Sequence, residues 1–224
     1  MNLDKNGKKI SSAVIKRLPR YYRYLGELLK NDINRISSKE LSERMKVTAS
    51  QIRQDLNCFG GFGQQGYGYN VQNLYDEIGK ILGVVQTHNI IIVGVGNLGQ
   101  ALANYGNFRR RGFILTGLFD INSALIGKKI DDIEIMDMAY IENFIKENNI
   151  DIALITTPRD KSAFIAEKLA SYGIKGILNF SATDIDIPYD TVIENVHLID
   201  SLMVLSYKIG NQVDNNDIND VKED

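Results

Sequence analysis

Ile90-Ile91-Ile92-Val93-Gly94-Val95-Gly96-Asn97-Leu98-Gly99 sets a buried-strand run directly against a glycine loop. The spacing is G-x-G-x-x-G, and Gln100-Ala101-Leu102-Ala103-Asn104-Tyr105 continues it as a helix-compatible run. Gly94 permits the tight turn. Gly96 lets the backbone approach a pyrophosphate, and Gly99 lets the helix pack closely on the strand. Phosphates are therefore expected along Gly94, Val95, Gly96, Asn97, Leu98 and Gly99, against backbone N–H groups and the positive end of the helix dipole.

Working outward, strand patterns fall at 90–94, 113–119, 151–156, 176–180 and 191–195, with a short one near 133–135. Helix patterns fall at 97–110, 137–148 and 160–172. This alternation predicts a doubly wound parallel sheet with helices on both faces, a Rossmann arrangement. The second strand ends in Asp120, 21 residues beyond Gly99, the interval expected of the acid that binds an adenine-ribose 2′-OH. Asp120 repels a 2′-phosphate, and Ile121 and Asn122 bring no arginine to hold one, so NADH and NAD+ are the expected cofactors. Thr157 and Pro158 after the third buried strand, and Asn179 and Phe180 after the fourth, are placed beside the nicotinamide half. Dehydrogenases present a His, Lys or Tyr acid/base near the nicotinamide. His88, His197, Lys161 and Tyr105 stand in no such pattern, and no separate substrate domain follows, so the site reads as one that binds a dinucleotide without turning it over.

The chain has 224 residues and a net charge of −2, but the charge is split. Residues 1–70 hold 13 basic and 6 acidic residues, a net +7, and the remainder holds 13 and 22, a net −9. A basic head on an acidic body points to a polyanionic partner for the head. One cysteine, Cys58, excludes an internal disulfide, and two histidines leave little material for a metal site. With no apolar run of 18 residues and no leader pattern, the chain is expected to be soluble and cytoplasmic, with no membrane and no metal.

In the head, apolar residues recur with a helical period from Ser11 to Lys30, with Pro19 expected to start, kink or break the helix. Ser37-Ser38-Lys39-Glu40 and Thr48-Ala49-Ser50-Gln51 are two capping boxes. They open short helices through Met45 and about Asn57, the spacing of a helix-turn-helix. The second helix is the groove-reading one in such a motif, which makes Thr48, Ser50, Gln51, Arg53 and Gln54 candidate base contacts. Arg17, Arg20, Arg23, Lys39 and Lys46 are candidate phosphate contacts on double-stranded DNA. Asp55 can pair with a neighbouring base inside the fold. Phe59–Tyr69, with five glycines in eleven residues, suits a hairpin wing. The predicted domains are 1–85 for the DNA-binding head, 86–196 for the Rossmann domain, a last helix at 197–211 and a disordered acidic tail at 212–224. Two other readings are an NAD-dependent oxidoreductase with a regulatory head and a CoA- or nucleotide-binding scaffold without DNA contact.

Several stretches together resemble the Rex family of redox-sensing transcriptional repressors. They are Ile15–Leu25, Ser37–Ser42, Val47–Leu56, Phe59–Gly63, Gly66–Val71, Gly94–Gly99 and Gly173–Phe180. The resemblance spans roughly residues 10–210 in order. It implies a winged-helix domain, a Rossmann domain and a C-terminal dimer-exchange helix that inserts between the domains of a partner. It also implies a homodimer that NADH releases from operator DNA, with NAD+ competing for the site. Members commonly pair an aspartate at the start of the last helix with an arginine of the first helix and a tyrosine after the glycine loop. Arg17 and Tyr105 match those two, and Tyr105 joins the cofactor-side set. The chain departs from the pattern at Gln54, Gln64 and Gln65, where basic residues are common, and at His197, where the aspartate is expected; Asp200 lies one turn later.

Overall fold

The computed structural model describes residues 10–60, 63–64 and 68–220. It divides into two compact units, Met1–Gln86 and Thr87–Asp224. The first unit begins with α1 (Ser12–Lys30), whose N-cap Ser11 accepts a hydrogen bond from the Val14 N–H. Its buried stripe is Val14, Leu18, Tyr21, Leu25 and Leu28. Of the start, kink or break expected at Pro19, neither a start nor a break occurs, and α1 runs through it. Pro19 is exposed, and Leu18 and Tyr21 beside it are fully buried. An interior proline costs roughly 3 kcal/mol, whereas burying large apolar side chains returns about 1.5–3 kcal/mol each.

β1 (Arg35–Ile36) leads to α2 (Ser38–Met45), which carries the full capping box: Ser37 Oγ accepts from the Glu40 N–H, and Glu40 accepts from the Ser37 N–H. Lys46 closes α2 in the left-handed region, and α3 (Ala49–Asn57) follows. Here the expected box is only half formed. Thr48 Oγ1 accepts from the Gln51 N–H, but the Gln51 amide turns to Asp55 instead of reaching back. β2 (Gly63–Gln64) and β3 (Gly68–Asn70) pair antiparallel and join β1 in a sheet ordered β1-β3-β2. Gly61, Phe62 and the wing turn at Gln65, Gly66 and Tyr67 lie outside the described residues. α4 (Val71–Leu82) packs on α1 where Tyr22 and Tyr75 stack at 4.2 Å. A Cβ on Gly26 or Gly79 would come within 3.1 Å of those rings, which is why the two helices carry glycine there.

In the second unit β4 (His88–Val93) runs into α5 (Asn97–Ala103), α6 (Asn107–Arg110) and β5 (Phe113–Asp120). The helix predicted at 97–110 is two helices. Asn104, Tyr105 and Gly106 interrupt it, with the Asn104 amide bonding back to the Gln100 carbonyl. The break leaves Tyr105 half-exposed, edge-on to Phe108 at 5.2 Å, while Phe108 packs into the core. β6 (Lys129–Ile130), β7 (Ile133–Asp137), a 3-10 turn at Met138–Tyr140, α7 (Ile141–Asn148), β8 (Ile152–Ile155), α8 (Arg159–Ser171), β9 (Gly176–Asn179) and β10 (Val192–Asn195) complete the sheet. Its order is β10-β9-β8-β4-β5-β7-β6, parallel except for β6 against β7. One core cluster holds Ile91, Val93, Phe119, Ile141, Ala166 and Leu169; the other holds Ile90, Ile92, Val95, Leu118 and Leu154. Successive β4 residues thus feed opposite faces, as strand pleating requires. α9 (Leu198–Asp220) ends the chain. It runs past 211 into the segment predicted to be disordered. Elongating an existing helix adds one main-chain bond per residue and requires no apolar stripe. Residues 221–224 lie outside the described residues.

A buried charge organises the head. Asp55 is fully buried. Arg17 donates to it through Nε and Nη2, both at 2.7 Å, Tyr21 donates its hydroxyl at 2.9 Å, and Gln51 donates its amide at 2.8 Å. Burial raises the Asp55 pKa, and the bonds from Arg17, Gln51 and Tyr21 more than offset it, so the carboxyl is held below its ordinary range. Burial and the Asp55 contact push the Tyr21 hydroxyl well above its own. Breaking such a pair leaves a half-covered guanidinium without its counter-charge, a loss of about 2–3 kcal/mol after allowing for its partial exposure. Asp55→Asn should lower the unfolding free energy by that amount, read as a lower urea midpoint. Because the folded pKa is depressed, the contribution is present above the ordinary carboxylate range and is lost as pH falls through the folded value. Urea midpoints measured from neutral to acid pH should fall in the parent and fall less steeply in Asp55→Asn. An unchanged midpoint in the variant at neutral pH would contradict this account.

Candidate functional site

The order of the second unit's sheet creates the crevice. The chain moves from β4 to β5 and β7 on one side, then crosses back to β8, β9 and β10 on the other. Loops leaving β4 and β8 therefore diverge at the carboxyl ends of the strands, where open α/β sheets bind ligands. Gly94 has φ +93, and a Cβ there would meet the Thr157 methyl at 2.7 Å and the Thr156 carbonyl carbon at 3.0 Å. A Cβ on Gly99 would strike the Gly94 carbonyl oxygen. Gly96 differs: a Cβ there would meet nothing within 4 Å. Two glycines are demanded by the protein's own packing, and the third faces open space, as the reading of a pyrophosphate approach requires.

Asp120 ties the loop to the next strand. Its Oδ2 accepts the Val95 N–H at 2.6 Å, and its Oδ1 accepts the Asn122 N–H at 2.8 Å. A carboxylate oxygen offers two acceptor directions, so each retains one for a ligand hydroxyl. The Thr156 hydroxyl donates to the Gly94 carbonyl, which closes the turn from the β8 side. Between these loops lies a cavity of about 860 Å³.

Of the sequence candidates, Gly94, Gly96, Asp120, Thr157 and Pro158 line this cavity. Val95, Asn97, Leu98, Gly99, Tyr105, Asn179 and Phe180 do not. Val95 is buried and contributes its N–H to Asp120. Asn179 is fully buried with its amide spent inside the protein, and Phe180 packs against the core. The Thr157 hydroxyl is buried and has no hydrogen-bond partner among the described residues. Met138, Phe164 and Ile165 also line the cavity and were not singled out from the sequence; Ile121 and Lys161 line it too, although the sequence presents Lys161 only as an acid/base candidate. The signal was present: Lys161, Phe164 and Lys168 share one face of α8 at helical spacing, and Tyr172 caps its end.

In the head, the outward face of α3 presents Ser50, Arg53 and Gln54, and Lys46 is exposed just before it. Arg53 Nη1 lies 3.2 Å from the Ser38 hydroxyl, so the second helix is braced on the first turn of α2. Thr48 is exposed, with its hydroxyl engaged as N-cap. Gln51 and Arg17 turn inward to Asp55. The pairing expected of Asp55 inside the fold is observed, and Arg17, expected at phosphate and as a partner of the aspartate of the last helix, has its Nε and Nη2 committed within the head. Ser38 and the exposed Asn57 complete this face and were not among the expected contacts.

A family model described as "Putative DNA-binding protein N-terminus" matches residues 9–57, and a "CoA binding domain" model matches residues 85–183. A Thermoanaerobacter pseudethanolicus protein named redox-sensing transcriptional repressor Rex is 59% identical over 91% of this chain and 91% of its own length. The chain belongs to the Rex family. The crystal structure of RSP in complex with β-NAD+ and operator DNA superposes with a TM-score of 0.86 at 55% identity, covering 96% of this chain and 99% of that one. RSP in complex with β-NADH gives 0.86 at 54% identity, covering 93% and 98%. These Rex relatives are transcriptional repressors, so the Rossmann sheet here serves a repressor fold and not a catalytic one.

His197, just before the last helix, has its Nε2 3.0 Å from Asp184 Oδ1. Asp200 is exposed one turn on. Among the described residues no cluster of three metal-ligating side chains occurs, and no helix is long and apolar enough to cross a membrane.

Asp120→Ala removes the acceptor for the Val95 and Asn122 N–H groups and the carboxylate that faces the cavity. NADH affinity should fall about tenfold, which corresponds to ~1.4 kcal/mol, and discrimination against NADPH should relax. Fluorescence titration with both dinucleotides measures this, and unchanged selectivity would remove Asp120 from the site.

Proposed function

We propose that this Rex repressor reads the NADH/NAD+ ratio: it holds operator DNA in the cytoplasm as a homodimer, and NADH entering the crevice releases it. The observation that carries the reading is the pairing, in one chain, of a glycine loop braced by Asp120 with a helix whose outward face is Ser50, Arg53 and Gln54. RSP, related along almost its whole length, occurs with β-NAD+ and operator DNA and, separately, with β-NADH.

The assignments follow from chemistry. Arg53 can bond guanine O6 and N7, and Gln54 can bond adenine N6 and N7. Lys46, with the exposed Arg20, Arg23 and Lys39, supplies phosphate contacts. Gln54, Gln64 and Gln65 stand where basic residues are common in the family, so fewer phosphates are neutralised from those positions. In the crevice, Gly94–Gly99 receive the pyrophosphate and Asp120 the ribose diol. Thr157 and Pro158, at the end of β8, bound the nicotinamide side, across the switch point from Asp120.

The dimer assignment rests on α9. Leu198, Leu202, Leu205 and Ile209 are more than half exposed, as are Ile199 and Met203. An apolar helix bare to water marks an interaction surface, and a second copy of the chain, inserting its own α9, is the occupant assigned here. The coupling required is modest. If NADH prefers the DNA-incompetent dimer ~100-fold, it contributes about 2.7 kcal/mol, within the usual allosteric range.

Operator binding measured across a salt series, with NADH or NAD+ added, tests the reading. NADH should weaken operator affinity and NAD+ should restore it. Arg53→Ala should cost about 1–3 kcal/mol and relax one base position, without changing NADH affinity. Operator affinity indifferent to NADH would refute the sensor.

A further inference from the structure

The carboxyl end of β9 is bonded to the segment that leads into α9. Asn179 donates from Nδ2 to the Thr183 carbonyl at 2.7 Å and to Asn195 Oδ1 at 2.7 Å. Its own Oδ1 accepts from the Ser181 N–H at 2.9 Å and the Ser181 hydroxyl at 2.6 Å. Its main-chain carbonyl accepts from the Val196 N–H at 2.8 Å. One residue further on, His197 meets Asp184. The Asn179 side chain is thus saturated, with every bond directed at the loop 180–184 or at the residues just before α9. A buried amide with all its partners resists displacement, because moving it leaves polar groups unpaired. The loop and the root of α9 therefore shift as one body.

That loop is also bonded to the strand whose end carries the crevice wall. The Phe180 N–H donates to the carbonyl of Ile155 at 2.9 Å, the last residue of β8, and the next two residues, Thr156 and Thr157, form the crevice wall. An occupant that presses on this wall reaches α9 through very few bonds. The Asp184–His197 pair is partly solvent-exposed, and such pairs add little stability. Its role is one of position.

We infer that Asp184, Asn195 and His197 are positioning residues that transmit occupancy of the nucleotide crevice to α9. The inference rests on the proposed reading of the crevice as the NADH site and of α9 as the dimer helix.

The test uses full-length protein carrying His197→Ala, Asp184→Ala, Asn195→Leu, the double alanine variant, and the exchange of Asp184→His with His197→Asp. Operator affinity is measured with saturating NAD+ and with saturating NADH, and their ratio gives the coupling. Nucleotide affinities and operator affinity with NAD+ should stay within about threefold of the parent, while the ratio falls at least about tenfold in each single variant. The double alanine variant should fall no further than the singles, and the exchange should restore the ratio to within about threefold. A ratio that stays at the parent's value overturns the inference, as does a ratio that falls only in step with nucleotide affinity and thermal stability. Hydrogen exchange at the amides of residues 198–201, with and without NADH, reads the linkage in the absence of DNA. NADH should change their protection in the parent and not in the single variants; equal responses overturn the linkage. If the parent's operator affinity ignores NADH, the repressor reading fails, and the exchange data still decide the linkage.

Discussion

Gly94, Gly99 and Thr156 meet so closely that no side-chain carbon fits on either glycine. The other features of the second unit's site follow from that crowding. It brings the start of α5 against the end of β4, and it lets the Thr156 hydroxyl close the turn from the neighbouring strand. With those segments drawn together, open space is left beyond Gly96. The Asp120 carboxylate then fixes the loop's height by taking the Val95 N–H. The crevice is the space that these constraints leave unfilled.

The head is organised by a charge where the second unit is organised by close approach. Burying Asp55 is unfavourable by itself, and it is tolerated because Arg17, Tyr21 and Gln51 all arrive at one carboxylate. The cluster joins α1 to α3 and fixes which face of α3 looks inward. Ile52, Asp55 and Leu56 are buried, which turns Ser50, Arg53 and Gln54 outward. The reading face of the helix is thereby set from behind, by residues that need touch no base.

Much of this was legible in the sequence, for reasons that differ from element to element. The Ile90–Val93 run and the glycine spacing specify a strand, a turn and a helix start through local sterics alone, so the loop could be read directly. Asp120 followed from chain length between two strands. What escaped depended on partners distant in sequence. Nothing near Arg17 shows that it is held by a residue 38 positions away. The passage of α1 through Pro19 was hidden because burial of Leu18 and Tyr21 outweighs the proline's local cost. The break at Tyr105 was hidden because it serves the packing of Phe108. The wall of the cavity along α8 was visible as a periodicity, but polar residues such as Lys161 and Lys168 mask it.

The bare apolar side chains of α9 have a further consequence. If a second copy covers them, as proposed, folding of the complete repressor becomes a bimolecular event, and its population then depends on its own concentration. Dilution then acts in the same direction as a destabilising substitution. In a cell that makes two versions of the chain, the versions meet in mixed pairs. One defective reading helix would spoil half of every pair that it joins, and its effect would be dominant over the sound copy.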